Sequence, residues 1–190
     1  MINLMNFLPE KTIDGVKIQK TQLSNKKLLF SYVSHGGKSS IILNKEIPQK
    51  FLSLLFLGLG LYLGEGLKKC YKWKSSKGFR KRIELSNSNP NIINCYMKFL
   101  DVLGVDKNLI SPRIHFRYNG NFKKEEESSK RFWSEIINIP PSKFRKSLIR
   151  EATGYGKRKL PHGTLELTIY NGVLWHIIHH WIDNINELAK

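Results

Sequence analysis

Acidic residues are what this chain is short of. Its 190 residues hold 15 Asp and Glu against 32 Lys and Arg, a formal net charge of +17. An excess this large on a small chain points to a polyanionic partner. Cysteine is scarcer still. Cys70 and Cys95 lack metal-site spacing and imply neither a disulfide framework nor a zinc finger. No apolar run reaches the roughly 20 residues that cross a bilayer. Met1 to Asn6 has neither the basic start nor the apolar core of a secretory signal, so an intracellular protein is expected, in a prokaryotic cytoplasm or an organelle. No basic amphipathic helix or lipidation motif stands out either, which favours nucleic acid over an anionic membrane as the partner. Apolar residues are not lacking: 41% of the chain is hydrophobic, enough to bury a proper core.

The rest of the chain is organised around Phe51 to Gly66, FLSLLFLGLGLYLGEG, which carries no charge before Glu65. Its apolar residues go all the way round, the pattern of a helix buried on more than one side. Gly60 and Gly64 lie one turn apart, a small face that lets a second helix come close. Gly66 is expected to end the helix in a left-handed cap. That puts Glu65 at the C-terminal end, where the helix dipole is already negative. A carboxylate there costs stability unless a cation joins it.

Residues 1–50 read as a small antiparallel β unit and a linker. Val16 to Gln19, Leu28 to Val33 and Ser40 to Leu43 are short strands, with turns at Asp14-Gly15 and His35-Gly36-Gly37, and Asn44 to Gln49 contains Pro48. Residues 51–190 form the second unit. After its first helix, Lys68 to Lys74 and Phe79 to Ser88 are strands around the turn Ser75 to Gly78. Asn89 caps a helix that begins at Pro90 and stops at Gly104. A strand from Pro112 to Asn119 follows, then a helix from Lys123 to Asn138 that opens on Glu125-Glu126-Glu127, where negative charge is favoured. Phe144 to Arg150 is a further strand, Thr153 to His162 a basic loop, Thr164 to Tyr170 a strictly alternating strand, and Val173 to Leu188 the last helix.

Alternation sorts the strand residues by face. Arg80, Arg82, Glu84 and Ser86 point one way, and Lys81, Ile83, Leu85 and Asn87 the other. Arg113, His115 and Arg117 oppose Ile114, Phe116 and Tyr118. With the apolar faces on the helices, Lys72, Lys74, Arg80, Arg82, Arg113, His115 and Arg117 line a face suited to the major groove of duplex DNA, arginine matching guanine edges. Other lysines contact phosphate and set register. His176, His179 and His180 share a helix face at metal-ligand spacing, but no Cys or acid completes a set, and packing among Trp175, Ile178 and Trp181 is the expected role.

The stretch Gly58-Leu59-Gly60-Leu61-Tyr62-Leu63-Gly64-Glu65-Gly66 resembles the signature helix of the LAGLIDADG homing endonucleases. It shares the small residues on one face, the apolar residues on the other and the acid before the last glycine. It departs in starting with glycine, in a leucine at the sixth position and in glutamate at the eighth. The resemblance implies an α+β fold, an αββαββα unit with an antiparallel, saddle-shaped sheet, running from Phe51 to about Ile185, with Lys123 to Ile139 as an extra element. One motif and no internal repeat imply a homodimer, its interface formed by Gly60, Gly64, Leu57 and Leu61. Glu65 would be catalytic and a metal ligand, meeting its symmetry mate around Mg²⁺ or another divalent ion. Arg158-Lys159-Leu160-Pro161 resembles the Lys-Ile-Pro block of intein-borne members. That would bring Lys159 to the scissile phosphate and Arg158 to the DNA. The implied activity is cleavage of both strands of a long pseudo-palindromic site, in the service of intron or intein mobility. The alternative is a non-cleaving protein on the same scaffold, a transcription regulator or an RNA maturase.

Overall fold

The computed structural model describes residues 1–34, 37–66, 71–72, 79–117, 123–150 and 160–185. The N-terminal part gives β1 (Ile2–Asn3), β2 (Gln19–Gln22), β3 (Lys27–Ser34), β4 (Gly37–Asn44) and β5 (Glu46–Ile47). Then come α1 (Leu52–Glu65), β6 (Tyr71–Lys72), β7 (Phe79–Arg80), β8 (Ile83–Asn87), α2 (Pro90–Leu103) and β9 (Ile110–Arg117). The last part holds α3 (Lys123–Ile137), β10 (Leu148–Arg150), β11 (Thr164–Ile169) and α4 (Gly172–Asp183). The fold is mixed α+β. Its larger sheets are antiparallel β2-β3-β4 and a four-stranded sheet in the order β10-β9-β11-β8.

The four-stranded sheet is not wholly antiparallel as expected, because β10 runs parallel to β9. The intervening α3 explains this. A parallel neighbour needs a long crossover to bring the chain back to the same end, and α3 supplies it. The strand expected over Phe144 to Arg150 shortens to β10. The strand expected over Val16 to Gln19 is displaced to β2, which starts at Gln19, since Thr12 to Val16 closes a turn and Ile18 bonds back to Glu10.

Local signals explain the helix ends. Asn89 accepts from the Asn91 N–H at the start of α2, and Gly104 leaves that helix at φ 80°, a conformation that favours glycine. Asn171 caps α4 by accepting from the Leu174 N–H and donates its amide to the Ser40 carbonyl of β4. One hydrophobic cluster joins Phe30, Ile41 and Leu43 of the N-terminal sheet to Leu59 and Tyr62, to Ile83 and Leu85, and to Ile177 and Trp181. The stretch expected as a linker is tied down: β5 pairs with β1, Ile47 is buried, and Asn44 donates to the Val102 carbonyl at 2.8 Å.

Two expectations for α1 are corrected. Its burial is one-sided: Leu55, Gly58, Leu59 and Tyr62 are buried, whereas Leu57 is 52% exposed and Gly60, Leu63 and Gly64 also face out. The helix packs on α2, α4 and β8 through one face, which leaves the opposite apolar face open. The close approach within the chain occurs at Gly58, where an added Cβ would run into the Phe99 ring of α2. Gly66 is not left-handed but extended, at φ −84° and ψ 158°. Glycine is needed there because a Cβ would strike the Tyr62 ring and carbonyl. The extended residue bridges directly to Leu85 of β8.

His176 lies 1% exposed on the inner side of α4, its Nδ1 accepting from the Ile13 N–H at 3.2 Å, with the Tyr32 and Trp175 rings edge-on to it. Burial, and then the charge of Lys81, push its pKa down to about 4 from an ordinary 6.5. Burial lowers His179 as well.

Gly58→Ala lowers stability in urea melts by about 1–3 kcal/mol, because the buried Phe99 ring cannot give way. Gly60→Ala and Gly64→Ala, with nothing within 4 Å of the new methyl, do not destabilise the isolated chain. The pH dependence has a definite sign. The unfolded imidazole of residue 176 binds a proton near 6.5 and the folded one only near 4, so stability falls as pH drops through that window. The loss approaches roughly 2–3 kcal/mol, and His176→Gln flattens that part of the stability profile.

Candidate nucleic-acid interface

The sheet's two sides differ chemically as the alternation requires. Ile83, Leu85, Ile114, Phe116, Leu165 and Leu167 are buried in the core. The residues between them share the other side. Strand register puts Thr168 between Glu84 and Ser111, Glu166 between Ser86 and Arg113, and Thr164 beside His115. The register puts Arg113 and His115 on this side, and Arg82 meets Glu84 there.

The middle of that side is not simply basic. Glu166 is 6% exposed, and both its oxygens are occupied. Oε2 lies 2.9 Å from His115 Nε2, and Oε1 accepts from Arg145 Nη2 at 2.5 Å and from the Thr168 hydroxyl at 3.0 Å. Arg145 also donates to Thr168 at 2.8 Å and to the Tyr170 hydroxyl at 3.1 Å. Burial raises the Glu166 carboxyl, but the Thr168 bond and the charges of His115 and Arg145 outweigh it and bring the pKa below the usual value. Glu84 meets Arg82 at 2.8 Å and is shifted the other way, upward, first by burial and then by the charge of Glu166.

Sequence reasoning missed Glu166, Thr168 and Arg145. The alternation of Thr164 to Ile169 holds the signal for the first two, since Glu166 and Thr168 fall on its polar phase. Arg145 precedes β10 and carries no periodic signal. Its backbone N–H bonds to the Pro112 carbonyl, and from there the side chain crosses the sheet.

The other expected residues are placed unevenly. Lys72 and Arg80 are paired across β6 and β7, Lys72 with Phe79 and Arg80 with Tyr71. Arg117 pairs with Arg150 at the end of β9. Lys74, Arg158 and Lys159 lie outside the described residues. Glu65 is exposed at the end of α1, and the bridge from Gly66 to Leu85 holds it beside β8. Leu57, Gly60 and Gly64 lie on the open face of α1, with Leu61 half-buried at its margin. The α4 histidines turn to separate partners: His176 to Ile13, His179 to the Trp175 ring and His180 to Asn184. Among the described residues no group of three or more His, Cys, Asp or Glu could hold a metal ion, and no helix is long and apolar enough to cross a membrane.

Comparison with protein-family models and with curated proteins finds no match for this chain.

The carboxylate at the centre of the polar side generates a test. Glu166→Gln leaves the Arg145 guanidinium facing a neutral amide and unbalances the contact with His115, and costs about 2–4 kcal/mol in denaturant melts. The exposed Glu127→Gln costs little. Because the folded carboxyl titrates below its usual value, the stability that Glu166 contributes is present above the usual carboxylate pKa and is lost as pH falls through the folded one.

Proposed function

We propose that the chain is a homodimeric DNA endonuclease of the LAGLIDADG type, dependent on Mg²⁺ or another divalent ion and cutting both strands of a pseudo-palindromic site. The observation that carries the reading is the open face of α1, with Leu57, Gly60 and Gly64 turned outward and Glu65 at its end beside the sheet. An apolar helix face left in water is costly unless something covers it. A second copy is self-complementary there by two-fold symmetry, and the two glycines let the backbones approach.

Element order supports the same reading. With α3 and β10 set aside as an insertion, the second unit runs α1, β6, β7–β8, α2, β9, β11, α4. Counting β7 and β8 together, although β6 and β7 pair in a small sheet of their own, that order is compatible with an αββαββα unit, and the polar side of the larger sheet carries Arg82, Arg113 and His115, which would face a duplex. Two Glu65 carboxylates at paired helix C-termini repel each other and face negative dipole ends, and a divalent cation relieves both. The donor chemistry fits: Glu65 is an exposed carboxylate oxygen, as Mg²⁺ requires alongside water and phosphate. When bound, the ion polarises the phosphate and activates water. Lys159 and Arg158 would add charge near the cut strand.

Incubation with a randomised duplex pool and Mg²⁺ tests the proposal. Cleavage is expected from the wild type and not from Glu65→Gln, with duplex binding retained and falling steeply with salt. Gly60→Leu is expected to sediment as a monomer and to lose cleavage. A wild type that stays monomeric with DNA present, or cutting that survives Glu65→Gln, defeats the reading. Binding without any cutting leaves the non-cleaving regulator or maturase.

A further inference from the structure

We infer that Glu84, with Arg82 beside it, selects a G·C pair in the bound duplex, Glu84 accepting from cytosine N4 and Arg82 donating to guanine O6 and N7. This deepens the DNA-binding reading above and rests on it. The two carboxylates on the polar side are differently placed. Glu166 is consumed by His115, Arg145 and Thr168, so it positions its neighbours and is closed to a ligand. The Glu84 side chain is 16% exposed and meets Arg82, which lies just before β8, at 2.8 Å.

Charge decides what can approach. Glu84 lies on the strand next to Glu166, opposite Thr168, and a phosphate brought there would add a third negative group to two carboxylates already drawn out of water. A base edge offers donors instead. In the major groove a carboxylate matches the cytosine amino group and a guanidinium matches the two guanine acceptors, so adjacent Glu and Arg complement the two halves of one G·C pair or of neighbouring pairs. In a two-fold dimer the preference recurs at the same offset in each half-site. If Glu84 only neutralised Arg82, its loss would change affinity at every sequence alike.

Selection of bound duplexes from a randomised pool separates the two roles, using the wild type, Glu84→Gln, Arg82→Gln and Glu127→Gln. The wild type is expected to enrich cytosine at one column of each half-site. Glu84→Gln should lose that preference by about ten-fold, shift toward adenine, which an amide pairs, and keep its other columns. Arg82→Gln relaxes guanine at the same or the adjacent pair, and Glu127→Gln matches the wild type. Identical preferences for the wild type and Glu84→Gln at every column overturn the inference and leave the DNA-binding reading standing. A wild type that enriches no sequence overturns both.

Discussion

The approach of Gly58 to Phe99 is the constraint from which the geometry of α1 follows. A helix of fourteen residues that is apolar nearly all round has no rotational preference of its own. Where α2 can come closest decides which side is buried. Once Phe99 occupies the notch at Gly58, Leu55, Leu59 and Tyr62 turn inward, and Leu57, Gly60 and Gly64 must turn outward. The same rotation, completed by the extended Gly66 and its bridge to Leu85, delivers Glu65 to the sheet. Packing inside one subunit thus sets both the surface left for a second copy and the place of the acid.

A second constraint lies on the polar side of the sheet. Charged side chains on neighbouring strands would ordinarily sample many rotamers, at an entropic cost to any ligand that must order them. Glu166 removes that freedom at the centre. Three side chains reach the same carboxylate, and Arg145 is clamped further by Tyr170. The face is therefore rigid in the middle, with Arg82 and Glu84 beside the knot. Rigidity there carries a desolvation cost, offset because the buried carboxylate is fully hydrogen-bonded.

How much of this is legible in the sequence depends on whether the signal is local. The ends of α2 are, because Asn89, Pro90 and Gly104 each act through their own backbone. So is the sidedness of β8 and β9, where period-two alternation separates Arg82 and Arg113 from Ile83 and Ile114. The direction of β10 is not, since it depends on where α3 returns the chain. Nor is the open face of α1: hydrophobicity reports that a residue prefers burial, and only tertiary packing tells which of Leu55 and Leu57 obtains it. Glu166 is legible as a polar-side residue, but its partner Arg145 reaches it across β9. Gly66 shows a milder failure. A glycine after a helix suggests a left-handed turn, yet here the crowding of Tyr62 demands it.

The joints between the chain's two ends bear on how the molecule comes to be made. Trp181 donates to the Phe7 carbonyl, the Ile13 N–H reaches His176, and Asn171 holds Ser40. Part of the inner surface of β3 and β4 is covered by α4, and the Ser40–Asn171 bond joins residues 131 positions apart. Contacts of such sequence separation make folding slow. Until α4 docks, apolar residues of the N-terminal sheet stay open to self-association.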